Sequence, residues 1–307
     1  MLNDINKIIE EYKKGTNLIK FLSENYSDVL TKNEITQLSY DIQAGAYTKK
    51  ALQDPKFEIE RGQAFARVIN DLGNFDSILE AGVGEATSMI AMLKELTKKP
   101  KNIKGFDISV SRIMYGKNFI KDKISTQIDF AVGDISCCPL PNNSSDLVYT
   151  IHALEPNGGN ELALVEELIR VTKKYLVLFE PHYELGNEKS RKHIEDHNYV
   201  RNLSSIVKSL GHEVIEDKLI FDSNPKSNNN TGAIVVKKNQ SKNTNLKNEE
   251  NSFNWACPMS KQVLKQHSNF LLSKKTMLLY PVVKGIPILL KSKSILASSI
   301  LDFDIEN

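Results

Sequence analysis

Between residues 77 and 236, short apolar runs alternate with stretches of helical periodicity, and this alternation constrains the fold of the 307-residue chain most. Apolar runs fall at 77–81 (SILEA), 103–108 (IKGFDI), 128–132, 146–151 (DLVYTI) and 175–179 (YLVLF). Helical patterns at 88–96, 109–120, 160–171 and 200–210 separate most of them. Strands joined through helices pair in parallel by right-handed crossovers. Two closing runs, 214–221 and 233–236, are joined by a turn-rich loop too short for a crossover helix. They are expected to form an antiparallel hairpin at one sheet edge. The expected fold is α/β, a doubly wound, mostly parallel seven-stranded sheet.

The flanks differ in pattern. Ile5, Ile8, Ile9 and Tyr12 recur at helical spacing, as do Leu18, Phe21 and Leu22, and a further amphipathic segment runs from 57 to 72 before Gly73. The expected division is a helical cap or lid over 1–55, the α/β domain over 56–238, a linker over 239–252, a small α+β module over 253–292 and a tail over 293–307. The linker is rich in Asn and Lys and low in apolar residues. A net charge of +2 is too small to make nucleic acid or an anionic membrane the main partner. No apolar run approaches the roughly 20 residues of a membrane helix, and the N-terminus lacks the apolar core of a signal peptide. Three cysteines, Cys137, Cys138 and Cys257, fit a reducing compartment, so a cytoplasmic location is expected. Cys137 and Cys138 are too close to pair and are expected to pack as small apolar groups.

The chemistry gathers at the strand ends. Glu80-Ala81-Gly82-Val83-Gly84-Glu85-Ala86-Thr87 follows the first strand and opens a helix. Glycines there let the backbone turn sharply and let a ligand approach main-chain atoms. The third glycine of a dinucleotide fingerprint is absent, and no lysine makes this a P-loop. Asp107 ends the second strand, where a carboxylate can accept both hydroxyl hydrogens of a ribose. Asp134 ends the third, where a carboxylate can accept the amine of an adenine. Glu80 would repel phosphates, whereas sulfonium and ammonium groups suit negative potential. Three acids at successive strand ends form a constellation for adenosine with a cationic tail.

With these residues, 57–236 resembles the class I S-adenosylmethionine-dependent methyltransferases, a Rossmann-like family marked by a D/E-x-G-x-G turn. The resemblance implies that Glu80 organises the loop and the methionine end, and that Gly82 and Gly84 admit the cofactor. It implies that Asp107 with Ile108 holds the ribose side, and Asp134 with Ile135 the adenine. Ala86 stands where many members have a third glycine. The segment 40–47, with Tyr40 and Tyr47, resembles the stretch that many small-molecule members lay over the cofactor; Tyr47 is the expected contact. At least one of these tyrosines is as readily explained by packing of the helical cap.

The acceptor side is less sharply marked. The loop after the fourth strand carries His152, Glu155 and Asn157, and the loop after the fifth carries Glu180, His182 and Tyr183. Transfer to a hydroxyl or amine benefits from a base, and histidine suits neutral pH. His152 is the first candidate base and Glu155 the second; Asn157, His182 and Tyr183 are expected substrate contacts. A cap at the strand end, or stacking on the cofactor, is an equally good account of His152. Glu180 and His182 are expected to be solvated loop residues rather than catalysts. His193 and His197 are four apart, but a polar surface helix explains them better than a metal site. The expected function is methyl transfer to oxygen or nitrogen of a small-molecule or sugar-containing acceptor. A protein or tRNA acceptor is the alternative, and a non-catalytic binding protein the third. A homodimer stays open.

The last module opens with Trp255-Ala256-Cys257-Pro258 and closes with Tyr280-Pro281-Val282-Val283-Lys284-Gly285-Ile286-Pro287. It resembles the small zinc-ribbon activators of tRNA and release-factor methyltransferases. Their metal needs four ligands, and here Ser260, Ser273 and Thr276 stand beside Cys257 at those positions. A ribbon without metal is expected, held by packing of Trp255, Phe270, Leu271, Leu278 and Tyr280. Elemental analysis of the purified protein should give well under one zinc per chain, and chelators should leave its Tm unchanged; stoichiometric zinc would overturn this.

Overall fold

In a computed structural model, residues 5–222, 229–239 and 253–300 are described. Five helices come first: α1 (Ile5–Lys13), α2 (Leu18–Tyr26), α3 (Lys32–Ile42), α4 (Ala46–Gln53) and α5 (Pro55–Asp71). The alternating part follows as β1 (Ser77–Ala81), α6 (Thr87–Glu95), β2 (Asn102–Asp107), α7 (Val110–Ile120), β3 (Ile128–Val132), β4 (Ser145–Ile151) and α8 (Glu161–Val171). It continues with β5 (Thr172–Pro181), α9 (Glu188–Asp196), α10 (Leu203–Ser209), β6 (Glu213–Asp222) and β7 (Asn230–Lys237).

These seven strands make one sheet in the order β3-β2-β1-β4-β5-β7-β6. The pairs from β3 to β5 are parallel, and β7 runs antiparallel to both neighbours. The closing hairpin is present, but β7 inserts between β5 and β6, so β6 forms the edge. Burial explains the sequence pattern: β1 is buried at all five positions because helices cover both faces. Strand order reverses between β1 and β4, which opens a crevice beyond their carboxyl ends.

The first helices make a small core of their own from Ile8, Leu18, Leu22 and Ile35. Helix α3 begins with a capping box between Thr31 and Glu34, in which each side chain bonds the other's backbone N–H. Among the described residues no helix is long and apolar enough to cross a membrane.

The C-terminal residues form a second sheet of β8 (Lys265–Gln266), β9 (Phe270–Ser273), β10 (Leu278–Val283), β11 (Ile286–Pro287) and β12 (Ile295–Leu296). Strand β12 pairs with β10, so regular structure continues past residue 292. This module is stitched to the edge strand β3: Ile288 bridges Val132 in parallel, and the Leu289 N–H donates to the Val132 carbonyl at 2.7 Å. Lys104, buried on β2, lies 4.7 Å from the Trp255 ring centroid and 5.3 Å from that of Phe253. Leu271, Tyr280 and Leu289 join the core under α8. The proposed linker over 239–252 lies almost wholly outside the described residues, as does most of the loop before β7.

The four positions compared with zinc ligands do converge. The Cys257 sulfur lies 3.2 Å from the Tyr280 hydroxyl and 3.7 Å from that of Thr276, and it accepts from the Ser260 N–H at 3.4 Å. The Ser273 hydroxyl accepts from the Thr276 N–H at 3.3 Å. Burial pushes the Cys257 thiol up, but hydrogen bonds from Ser260 and Tyr280 outweigh it and bring it down to about 7. Among the described residues no group of three or more His, Cys, Asp or Glu side chains could hold a metal ion.

Candidate active site

The turn after β1 is shaped by close approach. Gly82 has φ +79°, and a Cβ there would lie 2.3 Å from the Ala153 Cβ in the loop after β4. Gly84 also has positive φ, and Ala86 takes φ 55° at the start of α6, which explains why glycine would suit that position. Behind Gly82, buried Glu80 accepts from the Tyr149 hydroxyl at 2.9 Å. Burial raises the Glu80 carboxyl to about 8; the Tyr149 hydrogen bond and Arg61 pull it back down, and Asp107 adds to the rise.

Asp107 and Asp134 stand where the sequence places them. The Asp107 carboxylate accepts from the Gly84 and Ser109 N–H groups, both at 2.9 Å, so it ties the β1–α6 turn to the start of α7. Burial raises its pKa against the pull of Arg112 and those N–H groups. Asp134 accepts from Ser136 through one oxygen and from the Asn33 amide at 2.8 Å through the other. Asn33 belongs to α3, so the helical cap reaches directly onto the expected adenine contact.

Other ties hold that cap in place. Glu85, buried in the glycine turn, accepts from the N–H groups of Gly45, Tyr47 and Thr48 and so caps α4, whose own N-cap residue, Gly45, offers no side chain. Asp41 accepts from Ser109 and Ser111 at the start of α7. Sequence reasoning missed Glu85, Asp41 and Asn33; each is a polar residue whose partner is 37 or more positions away.

The acceptor wall is built on β4 and β5. His152 ends β4 with φ 52°, and its N–H donates to the Phe179 carbonyl. Its Nδ1 lies 2.8 Å from Glu155 Oε2 and its Nε2 2.7 Å from the Thr231 hydroxyl. Burial lowers the His152 pKa, but Glu155, through charge and hydrogen bond, and then Glu180 outweigh it, leaving it above the ordinary 6.5. Glu180 is not a solvated loop residue. It is buried and accepts from the N–H groups of Ala153, Leu154 and Glu155, the start of the 3-10 turn Glu155–Asn157. Burial raises it to about 7 against the pull of His152.

A cleft of about 790 Å³ runs between the cap and these strand ends. Gly82, Asp107, Ile108, Asp134 and Ile135 line one part, and Tyr47 covers it. His152, Glu155 and Asn157 line the other. His182 and Tyr183 do not line it, which corrects their assignment as substrate contacts. His182 is buried, pressed against Gly232, with Nε2 2.6 Å from Asp217; Tyr183 donates to Glu195 at the surface. Their places in the wall are taken by Asp196, His197, Asn198 and Tyr199, at the end of α9. The His193 and His197 rings lie 4.2 Å apart on that helix.

The donor set suits adenosine with a cationic tail: carboxylates on β2 and β3, a backbone cradle that any Cβ at Gly82 would fill, and a buried acid behind it. Residues 78–175 also match the family model of a methyltransferase domain. The protein is accordingly an enzyme, with S-adenosylmethionine as the cofactor that the strand-end acids suit. No curated protein matches the chain. Among solved structures, a Haloferax volcanii complex containing the Trm112 methyltransferase activator is similar at 15 % identity, covering 64 % of this chain and 96 % of that one, with TM-score 0.48. An S-adenosylmethionine-dependent methyltransferase from Aquifex aeolicus is similar at 16 % identity over 63 % of this chain and 98 % of that one, TM-score 0.46. Magnesium protoporphyrin IX methyltransferase from Synechocystis, with bound S-adenosylhomocysteine, is similar at 12 % over 77 % and 100 %, TM-score 0.44.

Two measurements test the cofactor side of this methyltransferase. Asp107→Ala should weaken S-adenosylmethionine binding at least about tenfold in calorimetry, since charge-assisted hydrogen bonds contribute roughly 1.5–3 kcal/mol. Asp107→Asn, which keeps an acceptor for the turn, should lose most of the same affinity; unchanged affinity in both would remove the ribose role. The second concerns pH. Glu80, raised to about 8 in the ligand-free protein, is protonated below that and cannot face a cation until the proton leaves. Affinity for the cationic cofactor should therefore rise with pH up to about 8 and then level off. Glu80→Gln should retain only the titration of the ligand's own ammonium group; an unchanged profile in that variant would count against Glu80.

Proposed function

We propose that the enzyme methylates an oxygen or nitrogen of a small, polar acceptor held between the N-terminal helices and the ends of β4 and β5. The observation that carries this is the roof. Tyr12, Thr16, Asn33, Thr36, Tyr40 and Gln43 cover the same cleft that contains Asp107, Asp134 and His152. A roofed cleft suits a ligand that enters whole, and exclusion of water protects the transfer. Its inner wall offers hydrogen-bonding groups, His152, Glu155, Asn157, His197 and Tyr199, which suit a polar acceptor.

Bound along β1 to β3, S-adenosylmethionine supplies an electrophilic methyl group. The chain's own residues position the acceptor and handle its proton. With its Nδ1–H given to Glu155, His152 accepts at Nε2, where the Thr231 hydroxyl lies 2.7 Å away and the acceptor's hydroxyl or amine would take its place. In this reading the acceptor's proton passes to Nε2, and Glu155 stabilises the imidazolium that forms. Should His152 serve only to shape the loop, Glu155 is the base.

A macromolecular acceptor is favoured by one observation, the C-terminal module docked on β3. We take that module as a built-in support of the methyltransferase domain, resembling the activators that other methyltransferases bind as separate chains. It covers an edge that would otherwise be open to pairing.

Release of S-adenosylhomocysteine from a metabolite extract, compared with purified tRNA and total protein, decides between the acceptors. His152→Ala should then lower turnover roughly 10²- to 10⁴-fold with cofactor affinity nearly unchanged. The pH profile should fall on the acid side through a value above 6.5, because a raised His152 pKa keeps the ring protonated to higher pH. Wild-type turnover with weakened cofactor binding would instead place His152 in the adenosine pocket.

A further inference from the structure

Arg112, on α7, is the most sharply unexplained charge in the cleft. It is 7 % exposed, yet among the described residues its Nη2 has no hydrogen-bond partner. Among those residues only Nε of the guanidinium is used, donating to the Tyr40 carbonyl at 3.2 Å. Among the described residues no ion pair engages it; the nearby Asp107 carboxylate is committed to Gly84 and Ser109. The guanidinium is instead clamped between two aromatic rings of the cap, with its carbon 4.3 Å from the Tyr40 centroid and 5.0 Å from that of Tyr47. Burying a guanidinium with one of its nitrogens unpaired is costly, and the nearby Asp107 charge and cation–π contacts of about 0.5–2 kcal/mol offset that only in part. A ligand anion would complete the arrangement.

Where that anion lies follows from the strands. The adenine belongs at the β3 end with Asp134 and the ribose at the β2 end with Asp107. The amino-acid end must then lie over the β1–α6 turn. The Arg112 side chain reaches from α7 to that turn: Nη1 is 3.9 Å from the Cβ position of Gly84. The acceptor wall, on β4, β5 and α9, belongs to other elements. A zwitterionic amino acid presents an ammonium and a carboxylate together. Glu80, behind Gly82, suits the cationic part. Arg112 and Lys20 are the cations that line the cleft, and Lys20 lies on α2, ion-paired to Glu24.

We propose that Arg112 is the receptor for the carboxylate of the cofactor, and that Tyr40 and Tyr47 hold its guanidinium plane in place to receive it. A guanidinium offers two parallel N–H groups to a carboxylate, which adds geometric selectivity to charge. The tyrosines come from the cap, so carboxylate capture and seating of the cap act on the same side chain. This inference rests on S-adenosylmethionine as the cofactor.

Calorimetry with S-adenosylhomocysteine and with its decarboxylated analogue, S-adenosyl-3-thiopropylamine, tests it on the full-length protein. The wild type should bind the analogue roughly 10- to 100-fold more weakly. Arg112→Gln should bind both ligands with about the affinity the wild type shows for the analogue. Equal binding of the two ligands by the wild type would overturn the role of Arg112. An equal loss for both ligands in the variant would also overturn it, since that marks an effect on the adenosine site or the cap. A wild type that binds neither ligand would instead take down the cofactor assignment itself. Should Arg112→Gln fail to fold, the wild-type pair of affinities still decides, and Arg112→Lys should restore part of the preference for the carboxylate.

Discussion

Every polar feature of the site depends on one constraint of the sheet, the reversal of strand order between β1 and β4. Parallel strands joined by right-handed crossovers place their helices on one face on one side of that point and on the other face beyond it. The ends of β1 and β4 therefore face a gap that no crossover fills. Gly82 enters it from β1, with buried Glu80 behind it, and His152 and Glu155 enter from the loop after β4. The two walls meet closely enough that a Cβ on Gly82 would strike Ala153. Glu180, from β5, then fixes the β4 loop by taking up three of its amides.

The cap is held by the same kind of interaction repeated. Carboxylates of Glu85 and Asp41 accept backbone or hydroxyl groups across the boundary between cap and sheet, and Asn33 donates to Asp134. Two of these acids lie in or beside the loops that shape the cofactor cleft: Glu85 in the glycine turn, Asp134 at the β3 end. Asp41 instead comes from the cap and grips the start of α7. The roof and the cofactor loops therefore share their anchoring groups, and a change that loosens one loosens the other. Such charge-assisted bonds are among the stronger polar contacts available to a folded chain, and most of these are buried or half-buried.

The sheet and the placing of acids at its strand ends were legible in the sequence because they depend on local pattern. Apolar runs of strand length, helical spacing between them and acids at three successive strand ends need no knowledge of distant contacts. What stayed hidden depends on pairing across the chain. Glu85 looks like a turn residue until Gly45 and Thr48 are seen beside it. Arg112 looks like a helix-surface cation, and only the cap makes it buried. Glu180 and His182 sit in a loop by sequence position, yet Glu180 is consumed by the neighbouring loop and His182 by Asp217 on β6. Asp196 to Tyr199 enter the cleft because α9 ends there, which no motif in that stretch announces.

Two buried acids lie near the carboxyl ends of β1 and β5, Glu80 near 8 and Glu180 near 7, both raised by burial. A chain selected for stability alone would replace such groups with apolar ones, since burying a carboxyl without full compensation is unfavourable. Glu180 has a structural return in its three amide bonds. Glu80 has, among the described residues, one hydrogen bond, from Tyr149. Its remaining negative capacity is useful once a cation approaches, when the proton leaves and the attraction grows in a region of low dielectric. Arg112 is the mirror case, a buried cation with an unused nitrogen beside the same turn. An acid and a base left incompletely paired at the two sides of one glycine turn are what a ligand carrying both an ammonium and a carboxylate would complete. Without such a ligand Glu80 keeps its proton and Arg112 keeps an unpaired nitrogen among the described residues, so the site would charge fully only when the ligand's two ends arrive.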